Sequence, residues 1–471
     1  MTYTHSKKLD SSKDFILACR ESDISSIQNY ISIDNPDFDA KFGTYLFVYG
    51  PSGNRIYLLG LGEVKHSSKL EDAFRKLAFE TQKYWGANIQ VLAENLSEHD
   101  IRKAVIGLEM AQYKIGALKS KTTGLSECEV AFISSKSDVD KQVEEGKAIG
   151  KTINRIKSLV DAPPNVKTPE YLGNWAESSA KNTEYKCTVI KGEALKKQNF
   201  EAVLSVGKGS VHKPVVIVTE YFGTDKNSID IGFVGKGITF DSGGLSIKPS
   251  TNLHYMKSDM GGAAVVLGVV ELAAKLKLKV NIVGVVASAE NAVDGNSYRP
   301  GDVIDSHSGK TIEIIDTDAE GRLVMADALS YLIKTYKPEY LFDIATLTGG
   351  VVRALGYSAA GMFTKNKDMA NEMSAIGNKV HERVWQLPLY EDFEADLHSD
   401  VADIRNFSGK PIAGAINAAK FLEAFTEEHP NWMHLDIAGV SFGDSAYAKM
   451  KSASGYGIQL MIEYVKSKVL I

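Results

Sequence analysis

Ile229-Asp230-Ile231-Gly232-Phe233-Val234 is an apolar β run that leads directly into Gly235-Lys236-Gly237-Ile238-Thr239-Phe240-Asp241-Ser242-Gly243-Gly244. The first part carries the β-branched and aromatic residues that favour a strand. The second sets a lysine and an aspartate among glycines. Val280 to Ala287 and Tyr340 to Ala345 are likewise near-continuous apolar strands. Helical patterns separate them, one opening at Asp259-Met260-Gly261-Gly262 and running to about Lys275, another from Leu323 to Tyr336. Strands without polar alternation, interleaved with helices, argue for a sheet covered on both faces and an α/β fold.

On either side of this core the pattern continues. Pro169 to Lys181 reads as a helix, Cys187 to Lys191 and Val215 to Thr219 as strands, and Asp225 to Asn227 as a charged turn. Downstream, Ala413 to Phe425 reads as a helix, His434 to Ala438 as a strand and Ser454 to Val465 as a closing helix. Upstream, Asp161-Ala162-Pro163-Pro164-Asn165 stops a long helical pattern (Asp138 to Leu159), because paired prolines forbid its continuation. The expected domains are therefore residues 1–160, a smaller N-terminal α/β domain ending in that linking helix, and residues 161–471, a larger C-terminal α/β domain. In the first, Gly43 to Gly50 and Arg55 to Gly62 form a hairpin across Pro51-Ser52-Gly53-Asn54. Ser68 with Glu71 fits a capping box opening a helix to about Trp85. Asn88 to Ala93 and Glu129 to Ser134 read as strands and Glu98 to Leu118 as a helix, whereas residues 1 to about 40 are polar and weakly patterned. This region holds no catalytic cluster; His66 and His99 are isolated.

Composition narrows the function classes. At 471 residues the chain exceeds one ordinary core, and its 44% hydrophobic and 24% charged residues are those of a soluble globular protein. A net charge of -5 gives no support for a nucleic-acid partner. Met1 to Phe15 is polar, with no secretory h-region, and the apolar run Ala263 to Ala274 is too short for a bilayer and contains Glu271. Cys19, Cys128 and Cys187 are scattered without a CxxC, so neither a disulfide framework nor a zinc ribbon is expected, and a reducing cytoplasm is the simplest compartment.

The chemistry collects in two stretches. Ile315-Asp-Thr-Asp-Ala-Glu-Gly-Arg-Leu323 puts three carboxylates and an arginine between a strand-like run, Thr311 to Ile315, and the helix beginning near Leu323. Crowded carboxylates repel unless a cation sits among them. In an extended segment Asp318 and Glu320 project to one side; the alternative is an acidic loop that helps start the helix. The second stretch holds Lys236, Asp241, Lys248 and Asp259, each near glycines, with Pro249 restricting Lys248 to extended backbone. Gly235-x-Gly237 does not continue into a phosphate-binding fingerprint, and two aspartates would repel phosphate unless metals intervene. Oxygen ligands with few histidines suit Mg²⁺, Mn²⁺ or Zn²⁺ held in pairs, and the absence of HExxH excludes the helical zinc-protease arrangement. Salt bridges at the lip of a sheet are the plain alternative for each residue taken singly. Two such clusters at strand ends together favour a ligand site.

The segments Gly-Lys-Gly-Ile-Thr-Phe-Asp-Ser-Gly-Gly, Ser-Ile-Lys-Pro, Met-Lys-x-Asp-Met-Gly-Gly-Ala-Ala and Thr-Asp-Ala-Glu-Gly-Arg-Leu occur in order between Gly235 and Leu323. Ala345 to Gly349, Ala415 to Leu422 and His434 to Gly439 follow. Together they resemble the leucyl aminopeptidases, the cytosol aminopeptidase family of dinuclear metallopeptidases, over about Asp161 to the C-terminus. The resemblance implies a catalytic C-terminal domain with a central mixed sheet flanked by helices. It implies two divalent ions per subunit, Mn²⁺ or Zn²⁺ with Mg²⁺ or Co²⁺ as alternatives. Asp241 and Glu320 would bridge them, Lys236 and Asp259 would complete one sphere, and Asp318 the other. Lys248 would stabilise an oxyanion, and Arg322 would hold a bicarbonate acting as general base toward the bridging water. A side-chain pocket near Met256, Thr346 and Gly349 would favour leucine-like residues at the free N-terminus of a peptide. A homohexamer, a dimer of trimers, is also implied. Asp316 stands where the family usually has Asn, an extra carboxylate that bears on metal preference. His254 and His307 match no catalytic position and are read as non-ligands.

Other classes meet the same residues less well. A dinuclear phosphoesterase would use these carboxylates with lysines clamping phosphate, but the order of all the segments argues against it. A DNA-binding role, known in some family members, lacks a basic run here. A catalytically dead homologue would not retain every metal and catalytic position.

Overall fold

The computed structural model describes every residue except 32–36, 117, 121–126, 226–227, 445 and 470–471. It divides into two compact units, Met1–Asn154 and Arg155–Ile471. Residues 226–227 of the expected charged turn at Asp225 to Asn227 and residue 117 of the expected helix from Glu98 to Leu118 lie outside the described residues, and that helix ends at Met110.

The first unit is built on six strands: β1 (Thr2–Ser6), β2 (Phe15–Cys19), β3 (Tyr45–Tyr49), β4 (Arg55–Gly60), β5 (Asn88–Leu92) and β6 (Glu129–Ile133). Their order is β1-β6-β5-β2-β4-β3, parallel throughout except for the antiparallel β3–β4 hairpin. Two helices, α1 (Leu70–Thr81) and α2 (Glu98–Met110), share a core with Ile16 and Ala18 of β2. Phe15, Leu17 and Cys19 turn to a second core with Ile27 and Ile31. Burial on both faces explains why Phe15–Cys19 shows no alternation and reads as unpatterned sequence. The capping box expected at Ser68 does not form. A 3-10 turn (Val64–Lys69) precedes α1, Lys69 is the N-cap with no side-chain bond, and the Glu71 carboxylate is taken by buried Lys103 at 2.9 Å. The box forms instead at Ser97 and Asp100, at the start of α2. The helix α3 (Val139–Asp161) runs through the division between the units.

In the second unit the strands are β7 (Lys186–Lys191), β8 (Val215–Phe222), β9 (Ile231–Asp241), β10 (Asn281–Asn291), β11 (Val303–Ile304), β12 (Ile312–Glu313) and β13 (Tyr340–Ala345). They continue with β14 (Ala360–Phe363), β15 (Val384–Gln386), β16 (Ile404–Arg405), β17 (Trp432–Asp436), β18 (Phe442–Asp444) and β19 (Ser452–Ala453). The helices are α4 (Pro169–Thr183), α5 (Glu193–Lys197), α6 (Glu201–Val206), α7 (Gly261–Lys275), α8 (Glu320–Tyr336), α9 (Gly349–Leu355), α10 (Lys367–Val380), α11 (Gly414–Glu423) and α12 (Ile458–Val469).

The main sheet has the order β15-β14-β17-β13-β9-β10-β8-β7. Its centre, β17-β13-β9-β10, is parallel, and antiparallel pairings at β14–β17, β10–β8 and β8–β7 make it mixed. Strand β9 does not end where the glycines begin. It runs through Gly235 and Lys236 to Asp241, because Gly235 lets α7 approach: a Cβ there would lie 2.8 Å from Ala263 Cα. Val234 and Ile238, of the other parity, pack with Leu323 and Leu329 of α8, so helices cover both faces. The chain passes from β9 through α7 to β10 on one side, while β13, after α8, lies on the other. Sites in α/β sheets gather at the carboxyl ends of strands where the order reverses in this way. Helix α8 also starts at Glu320 rather than Leu323, so Asp318 and Glu320 are not two steps along an extended segment. Among the described residues, no helix is long and apolar enough to cross a membrane.

Candidate metal centre

Strand β9 supplies Lys236 and Asp241, five residues apart, which regular pleating would send to opposite faces. The register against β10 shifts between Ile238↔Ala289 and Asp241↔Asn291, placing an extra residue on β9. A bulge of this kind reverses parity and turns Asp241 to the side of Lys236. Asp241 is fixed there by two bonds to Oδ1, from the Gly243 backbone at 2.9 Å and Asn291 Nδ2 at 2.8 Å. Its Oδ2 takes Lys248 Nζ at 2.8 Å, and Lys248 also contacts Asp318 Oδ1.

Asp259 follows a 3-10 turn (Leu253–Ser258) at the entry to α7. Thr346, just past β13, donates Oγ1 to Asp259 Oδ1 at 2.8 Å, and its carbonyl accepts Lys236 Nζ at 3.1 Å. Lys236 Nζ also lies 2.7 Å from Asp259 Oδ2 and 2.9 Å from Glu320 Oε1. Gly321 makes room for this lysine, since a Cβ at that position would sit 2.6 Å from Nζ.

The loop between β12 and α8 is clamped from several sides. Asn406, fully buried after β16, accepts the Ile315 and Asp316 backbone N–H groups at 2.8 and 3.2 Å and donates to the Asp316 carbonyl at 2.6 Å. Thr317 donates its hydroxyl to Gly243 O at 2.7 Å, and its carbonyl accepts Asn291 Nδ2 and the Tyr298 hydroxyl. Asp316 accepts the Asp318 backbone N–H at 2.8 Å, an Asx turn that shapes the loop. Asn could make the same bond, so the carboxylate at this position leaves the loop geometry intact. Arg322, 5% exposed, donates Nη1 to Asn406 O at 2.8 Å, and its Nε has no hydrogen-bond partner among the described residues.

Oxygens of Asp241, Asp259 and Glu320 all lie within 4.8 Å of one another, and Glu320 Oε2 is buried without a hydrogen-bond partner among the described residues. Burial, with Asp241 close by, pushes Asp318 up to about 7; burial and the same neighbour raise Glu320, and burial raises Asp259 well above the carboxylate range. Burial pulls Lys236 and Lys248 down, but the surrounding carboxylates outweigh it and hold both ammoniums above their ordinary range. Burial lowers Arg322 to about 10. Four carboxylates thus share two lysines, a surplus of negative charge in a desolvated place. Divalent cations with hard oxygen ligands fit it, and Asp241, Asp259, Asp318, Glu320 and Lys236 are the residues that could hold them.

The residues expected as metal ligands, as catalytic groups and as pocket lining come together here. Met256, Thr346 and Gly349 line one cavity of about 560 Å³ with Lys236, Lys248 and Arg322, and buried Glu320 reaches Lys236. A larger cavity of about 1060 Å³ at Lys310, Lys420 and Glu423 contains none of them. His254 lies tilted against Tyr255, and His307, lowered to about 4 by burial, sits against Phe200 and Ser330; neither joins the cluster. Sequence reasoning missed Asn291, Tyr298 and Asn406, which are brought in by strand ends distant in the chain and have no local spacing to mark them.

The cytosol aminopeptidase family's catalytic-domain model matches residues 154–462. Probable cytosol aminopeptidases of Chlorobium phaeobacteroides and Methylobacillus flagellatus are 37% and 36% identical, over 91% and 92% of this chain and 90% and 89% of theirs. One of Legionella pneumophila is 39% identical over 80% of this chain and 77% of its own. Among solved structures, the bottromycin maturation enzyme BotP in complex with Mn superposes with a TM-score of 0.85 at 27% identity, covering 98% of this chain and all of that one.

Proposed function

The chain belongs to the cytosol aminopeptidase family of metal-dependent aminopeptidases, and on that premise we propose that it releases leucine-like N-terminal residues from peptides through a pair of divalent ions. The single observation that carries this reading is the trio of buried carboxylates within 4.8 Å, with an unpartnered oxygen on Glu320 and two lysines between them.

Asp241 and Glu320 would serve both ions, with Lys236 and Asp259 completing one ligand set and Asp318 the other. When bound, the pair supplies Lewis-acid polarisation of the scissile carbonyl and lowers the pKa of a water nucleophile to near neutrality. Lys236 is an ammonium among surplus carboxylates; neutralising those carboxylates removes what holds its proton, which frees the amine to bind. Lys248, at the open side of the cluster, stays protonated and stabilises the negative charge that develops on the carbonyl oxygen. Arg322 is too strong a conjugate acid to be a base, and its free Nε gives its planar fork a place for bicarbonate, which would accept the proton. The walls of the cavity at Met256, Leu347 and Val352 are apolar and suit an aliphatic side chain. Mn²⁺ or Zn²⁺ is the proposed pair, with Mg²⁺ or Co²⁺ as alternatives. A cytoplasmic homohexamer is proposed on family likeness.

Hydrolysis of a panel of aminoacyl fluorogenic amides, with chelator and with each metal restored, tests the reading. Leucyl amide should be cleaved only with metal, and its N-acetyl derivative should resist. Equal cleavage of both would remove exopeptidase action, and chelator-resistant turnover would remove the metals.

A further inference from the structure

Arg353 is the only charged residue lining the 560 Å³ cavity outside the cluster and Asp316, among the described residues. It lies on α9 four residues after Gly349, on the same helical face. Helical side chains lean toward the helix N-terminus, so the guanidinium reaches back over Gly349. Gly349 offers no side chain to cover it: the only neighbour a Cβ there would meet is Arg353 Nη1, at 3.7 Å. Arg353 is exposed to the cavity and makes no hydrogen bond or ion pair among the described residues. An exposed arginine without a partner on the outer surface means little. One facing a substrate cavity beside apolar walls has the shape of a recognition element.

Resting on the aminopeptidase reading above, we propose that Arg353 is a specificity-determining residue that admits an acidic first residue, glutamate above all, to the side-chain pocket beside Gly349. The methylenes of glutamate would lie along the walls at Met256 and Val352, and its carboxylate would meet the planar fork of Arg353. Without that positive charge an acidic side chain would enter a cavity already crowded with carboxylates. Arg353 supplies the compensation from outside the metal cluster, so it acts on substrate choice without being a ligand.

The test is kcat/KM for glutamyl, glutaminyl, leucyl and lysyl amides of one leaving group, on the full-length Mn²⁺-loaded enzyme and on Arg353→Ala and Arg353→Glu. Glutamine is the isosteric neutral control. The glutamyl-to-glutaminyl ratio should fall by about tenfold in Arg353→Ala, chiefly through KM, and raised salt should lower it in the unaltered enzyme. Arg353→Glu should favour lysyl over glutamyl amide. An unchanged ratio in both variants, with the unaltered enzyme still cleaving leucyl amide, would overturn the role of Arg353 and leave the aminopeptidase reading standing. No cleavage of any amide by the Mn²⁺-loaded enzyme would overturn the aminopeptidase reading and this inference with it.

Discussion

Lys103 in the first unit and Lys236 in the second are both buried, at 1% and 3% exposure, yet they stand in opposite electrostatic settings. Lys103 meets the Glu71 carboxylate at 2.9 Å and the Ser68 carbonyl at 3.1 Å, and nearby Arg20 pairs with Asp100 at 3.2 Å. Charge there is matched locally, between helices that share a core. Around Lys236 the carboxylates of Asp241, Asp259, Asp318 and Glu320 outnumber the ammoniums that hold them. Both units are α/β sheets with parallel centres, so architecture does not separate them. The difference is that the charge of Lys103 is closed by its own carboxylate partner, while the cluster around Lys236 leaves a deficit of positive charge at the carboxyl edge of its sheet. Such a deficit costs stability in the metal-free chain, and on the proposed reading bound cations would recover it.

Four changes break or sharpen this contrast. Glu320→Gln should lower kcat/KM for leucyl amide on the order of a thousandfold. The same variant, metal-free, should melt at or above the unaltered protein, because a repelling charge is gone; a clear loss of thermal stability would remove the surplus-charge account. Lys103→Ala should do the reverse, costing about 3–5 kcal/mol in denaturant unfolding by stranding Glu71, with little change in turnover by the fraction that remains folded. Lys167 is a third case, fully buried with its Nζ on the Val160 and Lys257 carbonyls and no carboxylate ion pair among the described residues. Burial, with Lys257 close by, brings its pKa down from 10.5 to about 7. Between those values the unfolded chain holds a proton that the folded chain has released. Stability should therefore rise with pH from about 7 to 10.5 and be lost as pH falls toward 7, by about 1 kcal/mol per pH unit. Lys167→Met should remove that part of the slope. Asp316→Asn should change kcat/KM by no more than about twofold, since either side chain can accept the Asp318 N–H.

The residues of the site were legible in sequence because each lies in a short segment where chemistry and spacing coincide: Lys236 with Asp241, Lys248 with Asp259, Asp318 with Glu320 and Arg322. What holds them was not. Asn291 and Asn406 reach the site from the ends of β10 and β16, and an isolated asparagine carries no pattern. The parallel strands β10 and β13 were visible as apolar runs, whereas the apolar run of β2 was masked by the polar segments on both sides of it. Strand β9 was cut short by its glycines, which serve helix approach rather than a loop. The bulge that turns Asp241 toward Lys236 exists only in the pairing of β9 with β10, and no linear pattern reports it.

Metal stoichiometry tests the central claim most directly. Metal-free protein titrated with Mn²⁺ and followed by calorimetry, with bound metal counted after gel filtration, should take up two ions per chain and gain thermal stability, while Asp241→Asn retains at most one. No uptake at the cluster, or equal uptake and stabilisation in Asp241→Asn, would contradict the account.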